Sequence, residues 1–334
     1  MESISHMVSV PKQRQFEKFF YRDMGDDIPN VTAQRKLNGS RGFEVDGNLY
    51  SRGTGVGGDK AHWNHKHPHI HRALADMGLP PGHMLDGEMV YFPDREANVE
   101  LYPFKKEHYL DTQWIVFDIH YWCGKSLEGI PYIEKIALLR TIFEEHNLDS
   151  PIKLIDFIFF NKRLRRKARE GSNKVPRACG GGLIYEPSVE DAFAYSNKHG
   201  WEGLVFKHAE ALSVLDHDDK RPHRDFGHYK RKPIREVDVL ITGWRKGTEG
   251  KRNDGVIGSL DASIVRHGKL AYVGQVSGLD DEQRRQFMEK LEKTGPFVVM
   301  VKYRRYTTHF MLEGAMYERL SDKSVEEFMA EDTA

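Results

Sequence analysis

Two cysteines in 334 residues, Cys123 and Cys179, are too few and too far apart for a disulfide framework or a Cys-x-x-Cys zinc site, and they predict a reducing, cytoplasmic setting. Charge of one sign is lacking too. The chain balances 50 Lys and Arg against 50 Asp and Glu, so any contact with a polyanion must come from local basic runs and not from net charge. No apolar run reaches the roughly 18 residues of a membrane span, and the N-terminus lacks the apolar core of a signal peptide. Nor does any stretch repeat at solenoid periods. A soluble protein without membrane contact is expected. What is present is an ordinary 39% hydrophobic content in a chain long enough for two domains.

Residues 1–30 are polar and mixed, and read as a lead-in with a short helix over Lys12 to Asp23, ended by Gly25 and Pro29. From Val31 the pattern turns strand-like, with Arg41 to Arg52 alternating about Asp46-Gly47, a strong hairpin signal. His62, His65, His67, His69 and His71, with His83 beyond them, fit no zinc spacing and read as a polar loop leading into a helix from Ile70 to Met77. A strand pair over Met84 to Phe92 follows, then a buried strand over Trp114 to Trp122 and a helix over 132–147 with Ile133, Ile136, Leu139 and Ile142 on one face. Lys162 to Arg169 is densely basic. A glycine-rich loop, Lys174 to Gly182, precedes a helix over Ser188 to His199, which delivers the chain to a strand ending at Lys207. Lys220 to Arg235 carries seven Lys or Arg against one acid. Past Pro233 come short strands at Val237 to Trp244, Gly258 to Val265, Lys269 to Val276 and Phe297 to Tyr303, with a helix over Asp281 to Lys293, the economy of a small OB-type barrel. The expected fold class is α+β, divided as 1–30, 31–233 and 234–334.

One stretch, Lys36-Leu37-Asn38-Gly39-Ser40-Arg41, places an amine, a glycine and a guanidinium within six residues. A lysine attacks phosphorus only after losing its proton, which nearby cations or desolvation make easier. Arginine is suited to bidentate contact with phosphate. Lys-x-x-Gly alone is an ordinary turn, but further stretches follow in order: Ser51-Arg52, Leu85-Asp86-Gly87-Glu88, Val116-Phe117-Asp118, Glu202-Gly203-Leu204-Val205-Phe206-Lys207 and Tyr229-Lys230-Arg231-Lys232.

In this order and spacing, over roughly residues 31–325, the chain resembles the covalent nucleotidyltransferases, and most closely the compact ATP-dependent DNA ligases of the phage type. The resemblance implies a nucleotidyltransferase domain of ATP-grasp-like antiparallel sheets with helices, followed by an OB-fold barrel. It implies that Lys36 attacks the α-phosphate of ATP and carries AMP to a 5′-phosphate at a nick in duplex DNA. Lys230 and Lys232 would stabilise charge at the α-phosphate, and Arg41 and Arg52 would hold ribose and the nick's 5′-phosphate. Phe117 would stack on adenine, Gln34 would read its edge, and Leu37 and Lys207 would complete the pocket. Glu202 is the expected ligand of Mg²⁺ or Mn²⁺, with Glu88 on the ribose or the metal. Arg319 and Lys323 would orient the pyrophosphate. Arg163, Arg165, Arg166, Arg221 and Arg224, with Arg52, are the expected DNA contacts. A monomer with no obligate protein partner is expected.

Two departures stand out. Asn38 occupies a position where the DNA ligases usually carry Asp, which loosens the argument for DNA over RNA. Arg319-Leu320-Ser321-Asp322-Lys323 has one residue more than the family's C-terminal Arg-x-Asp-Lys signature. An NAD-dependent ligase would need a four-cysteine zinc module, which two cysteines cannot supply. An ATP-dependent RNA ligase shares the same pocket. A non-catalytic OB-type nucleic-acid binder is a third reading, opposed by the intact Lys36, Glu202, Lys230 and Lys232.

Overall fold

The computed structural model describes residues 12–15, 24–54, 60–94, 99–101, 105–144, 150–169, 180–211, 224–250, 255–307 and 309–331. The chain divides into two compact units, Met1–Arg231 and Lys232–Ala334.

Two sheets, several of whose strands are buried on both faces, organise the first unit. β1 (Lys12–Gln15), β2 (Val31–Arg35), β11 (Phe157–Phe159), β12 (Leu183–Tyr185), β13 (Leu204–His208) and β14 (Arg224–Arg231) form one sheet, in the order β1-β14-β13-β2-β11-β12. β2 runs antiparallel to both β13 and β11, which makes it the sheet's centre. A second sheet runs β10 (Ile152–Leu154), β8 (Thr112–Trp122), β6 (Met84–Asp94), β3 (Ser40–Val45), β4 (Asn48–Thr54) and β5 (Lys60–His62). β7 (Val99–Leu101) and β9 (Lys125–Ser126) pair with β6 and β8.

Helices close the apolar faces. α1 (Pro68–Asp76) buries Ile70 and Leu74, and α2 (Tyr132–Ile142) buries Ile133, Ile136 and Leu139 in the same core as Trp114 and Val116. α3 (Lys162–Arg169) adds Leu164 and Ala168 to that core. α4 (Val189–Lys198), whose first turn is capped by the Ser188 hydroxyl, covers the other face of the first sheet, where Val31, Ala33, Leu204, Phe206 and Tyr229 meet.

Two local expectations change. Residues 12–15 form a strand where a helix over Lys12 to Asp23 was expected: parallel pairing with β14 outweighs local propensity, and residues 16–23 lie outside the described residues. Met84 to Phe92 is one continuous strand and not a pair. Gly87 sits mid-strand because a Cβ there would lie 2.6 Å from the Trp114 indole nitrogen and 2.7 Å from the Ile115 carbonyl oxygen. The hairpin at Asp46-Gly47 forms, with both residues at positive φ (46° and 85°), as a two-residue turn of this hand requires.

Two histidines of the run are tied to β8, His69 through Nε2 at 2.9 Å from the Thr112 carbonyl oxygen. His67 is buried, with Nδ1 2.9 Å from the Thr112 hydroxyl and 3.2 Å from the Tyr109 carbonyl oxygen, and His83 pairs with the buried Glu44 at 2.7 Å. Among the described residues no three His, Cys, Asp or Glu side chains gather as a metal set, and no helix is long and apolar enough to cross a membrane.

In the second unit, β15 (Arg235–Lys246), β16 (Ile257–Arg266), β17 (Lys269–Val276), β18 (Phe297–Tyr303) and β19 (Met316–Leu320) form a sheet in the order β17-β16-β15-β18-β19. α5 (Asp281–Thr294), started by an Asp280/Gln283 capping box, joins β17 to β18. A parallel bridge from Ser277 to Met316 brings the end of β17 to the last strand. α6 (Val325–Ala330) buries Phe328 against Leu240 and Val298.

Burial lowers the His67 pKa to about 4. The unfolded chain therefore takes up this proton near pH 6.5 while the fold resists it, so the contribution is intact above that pH and is lost as pH falls toward 4. Urea unfolding at several pH values should show stability declining across that window in the wild type, and a flatter profile in His67→Gln. Equal slopes would remove His67 from the account.

Candidate active site

β2 and β13 set the site by alternation. Cross-strand partners share a face, so Gln34, Val205 and Lys230 lie in one row and Thr32, Lys207 and His228 in the next. The intervening residues, Ala33, Phe206 and Tyr229, face the α4 core. Lys36 continues β2 on the face of Gln34, and its backbone N–H donates to the Gly203 carbonyl at 2.8 Å. That bond brings the lysine beside the residue preceding Gly203. Lys36 Nζ lies 2.5 Å from Glu202 Oε2, with both side chains largely shielded from water.

The loop from Lys36 crosses directly onto β6. A Cβ on Gly39 would collide with the Met89 carbonyl oxygen and lie 2.9 Å from the Glu88 side chain, so only glycine allows this approach. Leu37 and Asn38 are buried in the crossing. Burial pushes the Glu88 carboxyl up to about 7, although Lys36 and Arg41 pull it down.

Arg41, expected with Arg52 on ribose and the 5′-phosphate, pairs with the fully buried Asp86, with Nε–Oδ1 at 3.0 Å and Nη2–Oδ2 at 2.5 Å. Burial disfavours the Asp86 charge, yet Arg41 and His120 outweigh it and hold the carboxyl below its usual range. The guanidinium also lies 5.4 Å from the Phe117 ring, which Lys207 approaches at 5.6 Å. Lys207 is not presented to solvent. Its Nζ donates to Asp118 Oδ2 at 2.8 Å and lies 4.1 Å above the Tyr132 ring. Lys135 Nζ is 4.0 Å from the same carboxylate. Against its own burial, these lysines hold Asp118 far below the carboxylate range.

Gln34, Lys36, Leu37, Arg41, Glu88, Phe117, Glu202 and Lys207 are thus all described in the first unit, as is Lys230 on β14. Lys232 is the first residue of the second unit. The Arg52 and Arg224 side chains and all of Arg221 lie outside the described residues. Arg319 pairs with Asp322 at 3.1 Å, and Lys323 is held by Asp238 at 3.0 Å and Glu331 at 2.6 Å. Lys162, Arg163, Arg165, Arg166 and Arg169 line a depression of about 370 Å³ on α3, with Arg165 Nε bonded to the Leu183 carbonyl at 2.7 Å. On the opposite face from Lys36, Arg35 lies between Phe92 and Trp201 beside a separate cavity of about 340 Å³.

Sequence reasoning missed Tyr132, Lys135 and the roles of Asp86 and Asp118. Tyr132 and Lys135 lie on a helix that the pattern assigned to core packing. The Phe117-Asp118 and Asp86-Gly87-Glu88 stretches did flag the two carboxylates, but not their partners.

The fold that carries this arrangement is one seen in solved DNA ligase structures. No family model matches the chain. A structure from a study of Lig E DNA ligases aligns with a TM-score of 0.60 at 16% identity, covering 94% of this chain and 100% of that one. The structure named Pmar-Lig aligns with a TM-score of 0.66 at 16% identity, covering 95% of this chain and 68% of that one. By sequence, the chain is 29% identical over 224 residues to the multifunctional non-homologous end joining protein LigD of Mycobacterium bovis, and equally to LigD of Mycobacterium tuberculosis. The match covers 66% of this chain and 24% of LigD, so the chain spans about a quarter of the length of the curated relatives it matches.

Asp118→Asn would leave two buried ammonium groups without their carboxylate, at a cost of about 3–5 kcal/mol. Urea unfolding should show that loss, and adding Lys207→Met should recover part of it. A loss below about 1 kcal/mol would mean that water already solvates this cluster.

Proposed function

We propose that the chain is an ATP-dependent DNA ligase that seals nicks between a 5′-phosphate and a 3′-hydroxyl. The observation that carries this reading is the Lys36–Glu202 pair, 2.5 Å apart, with Lys36 held by Gly203 at the end of the central strand. The match to LigD, a DNA repair protein by name, supports it. Residues 31–233 would serve as the adenylylation domain. Residues 234–334 would serve as an OB-type domain, a reading supported by five strands whose third and last are bridged in parallel.

In this mechanism Lys36 gives up a proton, for which Glu202 Oε2 is the acceptor in reach. Nζ then bonds to the α-phosphorus of ATP as the bond to pyrophosphate breaks. AMP passes to the DNA 5′-phosphate, which frees the lysine. The 3′-hydroxyl attacks that phosphate, the phosphodiester forms and AMP leaves. Lys230 stands in the Gln34 row on the nucleotide face and would neutralise charge developing on the phosphate oxygens. Lys232 would do the same.

Glu88 and Glu202 fit a divalent cation by their donor chemistry: both are carboxylate oxygen donors within electrostatic reach of Lys36 and of each other. Two carboxylates are enough where substrate phosphates and water complete an octahedral Mg²⁺ shell. The ion would supply charge neutralisation at the triphosphate.

Wild-type protein with ATP and Mg²⁺ should seal a nicked DNA duplex, and Lys36→Ala should not. A nick in all-RNA duplex should be joined poorly. Equal or faster RNA joining would favour the RNA-ligase reading, which Asn38 in place of Asp keeps open.

DNA would also contact α3, where Lys162, Arg165, Arg166 and Arg169 recur at helical spacing on one face and buried Leu164 and Ala168 occupy another. Neutralising Arg163, Arg165 and Arg166 together should make log affinity fall less steeply with log salt, by up to about 0.9 per lost phosphate contact. An unchanged slope in a salt titration would return α3 to a solvated face.

A further inference from the structure

Phe117 is the extra residue of a β-bulge. Asp86 faces Asp118 and Gly87 faces Val116, so one step of β6 spans two of β8. A bulge releases its side chain from the strand's regular alternation and re-aims it. Tyr132 lies against this point, at the first position of α2. Its hydroxyl is 3.1 Å from the Phe117 carbonyl oxygen and 3.0 Å from Gln34 Oε1.

Three contacts hold Tyr132 in place. The backbone N–H groups of Tyr132 and Ile133 donate to the carbonyls of Ala211 and Ala209, and the Lys207 ammonium lies 4.1 Å over the ring. Tyr132 is 1% exposed. Burial, then Asp118 and Asp86, raise its pKa well above the usual phenol value, so the hydroxyl keeps its proton and remains a donor. Gln34 is buried as well, so the orientation of its amide is decided by its neighbours and not by water.

We propose that Tyr132 is the positioning residue that makes this pocket select adenine: its hydroxyl engages the Gln34 oxygen and so turns the Gln34 NH₂ toward the base. A carboxamide presents edges of opposite polarity. An NH₂ donor complements the bare N1 of adenine and opposes the N1–H of guanine. Without the hydroxyl the amide rotates, either edge meets the base, and discrimination falls. The same proton is shared, in a three-centre hydrogen bond, with the Phe117 carbonyl oxygen, which couples the amide to the strand segment that aims the stacking ring. This inference rests on the nucleotide-pocket reading above and deepens it.

The test compares ATP with GTP, each labelled at the α-phosphate, for covalent transfer to the wild type, Tyr132→Phe, Gln34→Leu and the double variant. Tyr132→Phe keeps the ring beneath Lys207 and removes only the hydroxyl. The wild type should favour ATP, and Tyr132→Phe should lower the ATP-to-GTP ratio by roughly tenfold or more, the scale of one mispaired buried hydrogen-bonding group. In the Gln34→Leu background, Tyr132→Phe should leave the ratio unchanged. A merely structural tyrosine would lower labelling by both nucleotides together at constant ratio, which would overturn the proposal. So would an effect of Tyr132→Phe that persists without Gln34. Equilibrium binding of unlabelled ATP and GTP reads the same preference without the chemistry. A wild type that binds ATP selectively, and loses that selectivity in Tyr132→Phe, without ever labelling would sink the ligase reading while upholding this one. Equal binding of ATP and GTP by the wild type would overturn this one.

Discussion

The Asp118–Lys207 ion pair ties together the two sheets of the first unit where the site is displayed. Asp118 belongs to β8 of one sheet and Lys207 to β13 of the other, and both side chains are almost fully removed from water. Placing a charge pair there is expensive, because desolvation consumes most of the Coulomb attraction. What the pair contributes is register. It fixes β13 against β8, and with it the distance between the strand that bears Phe117 and the strand beside Lys36. Lys135 and the Tyr132 ring complete the shell around the pair, so α2 is locked into the same arrangement.

Two sets of charges then divide the work. Arg41 with Asp86, and Lys207 with Asp118, are satisfied within the protein and define the pocket's shape. Lys36, Glu202 and Glu88 form the other set: the lysine is paired with one carboxylate and lies within electrostatic reach of another whose burial raises its pKa to about 7. In the proposed reaction, cations and carboxylates set in place in this way would need little rearrangement as charge develops at phosphorus. The sequence neighbours of Lys36 and Glu202 also meet: the Arg35 guanidinium lies 5.1 Å from the Trp201 ring.

Strands with clear alternation, the Asp46-Gly47 hairpin and the capped helices were legible because their signals are local. The segment 12–15 was not, since its strand exists only through pairing with β14. Gly39 and Gly87 could be singled out in the sequence, but their physical reasons, the Met89 carbonyl and the Trp114 indole, lie on other strands. Lys36, Glu202 and Phe117 were singled out through their ordered resemblance to a known family, and the structure brings Lys36 and Glu202 to 2.5 Å although 166 residues separate them. The likeness to the Lig E structure extends to the fold at 16% identity. Lys207, which the motif placed in the nucleotide pocket, directs its ammonium to Asp118, a partner on the other sheet that sequence order does not reveal. Tyr132 carried no signal, because an aromatic at the start of an apolar helix is ordinary core until its hydroxyl has partners.

The account rests on Lys36 as the nucleophile. Peptide mapping by mass spectrometry, after incubation with ATP and Mg²⁺ alone, tests that claim most directly. The account predicts a single adenylate adduct, acid-labile as a phosphoramidate is, on the peptide containing Lys36. An adduct on another lysine, or none on a protein that still seals nicks, would contradict it.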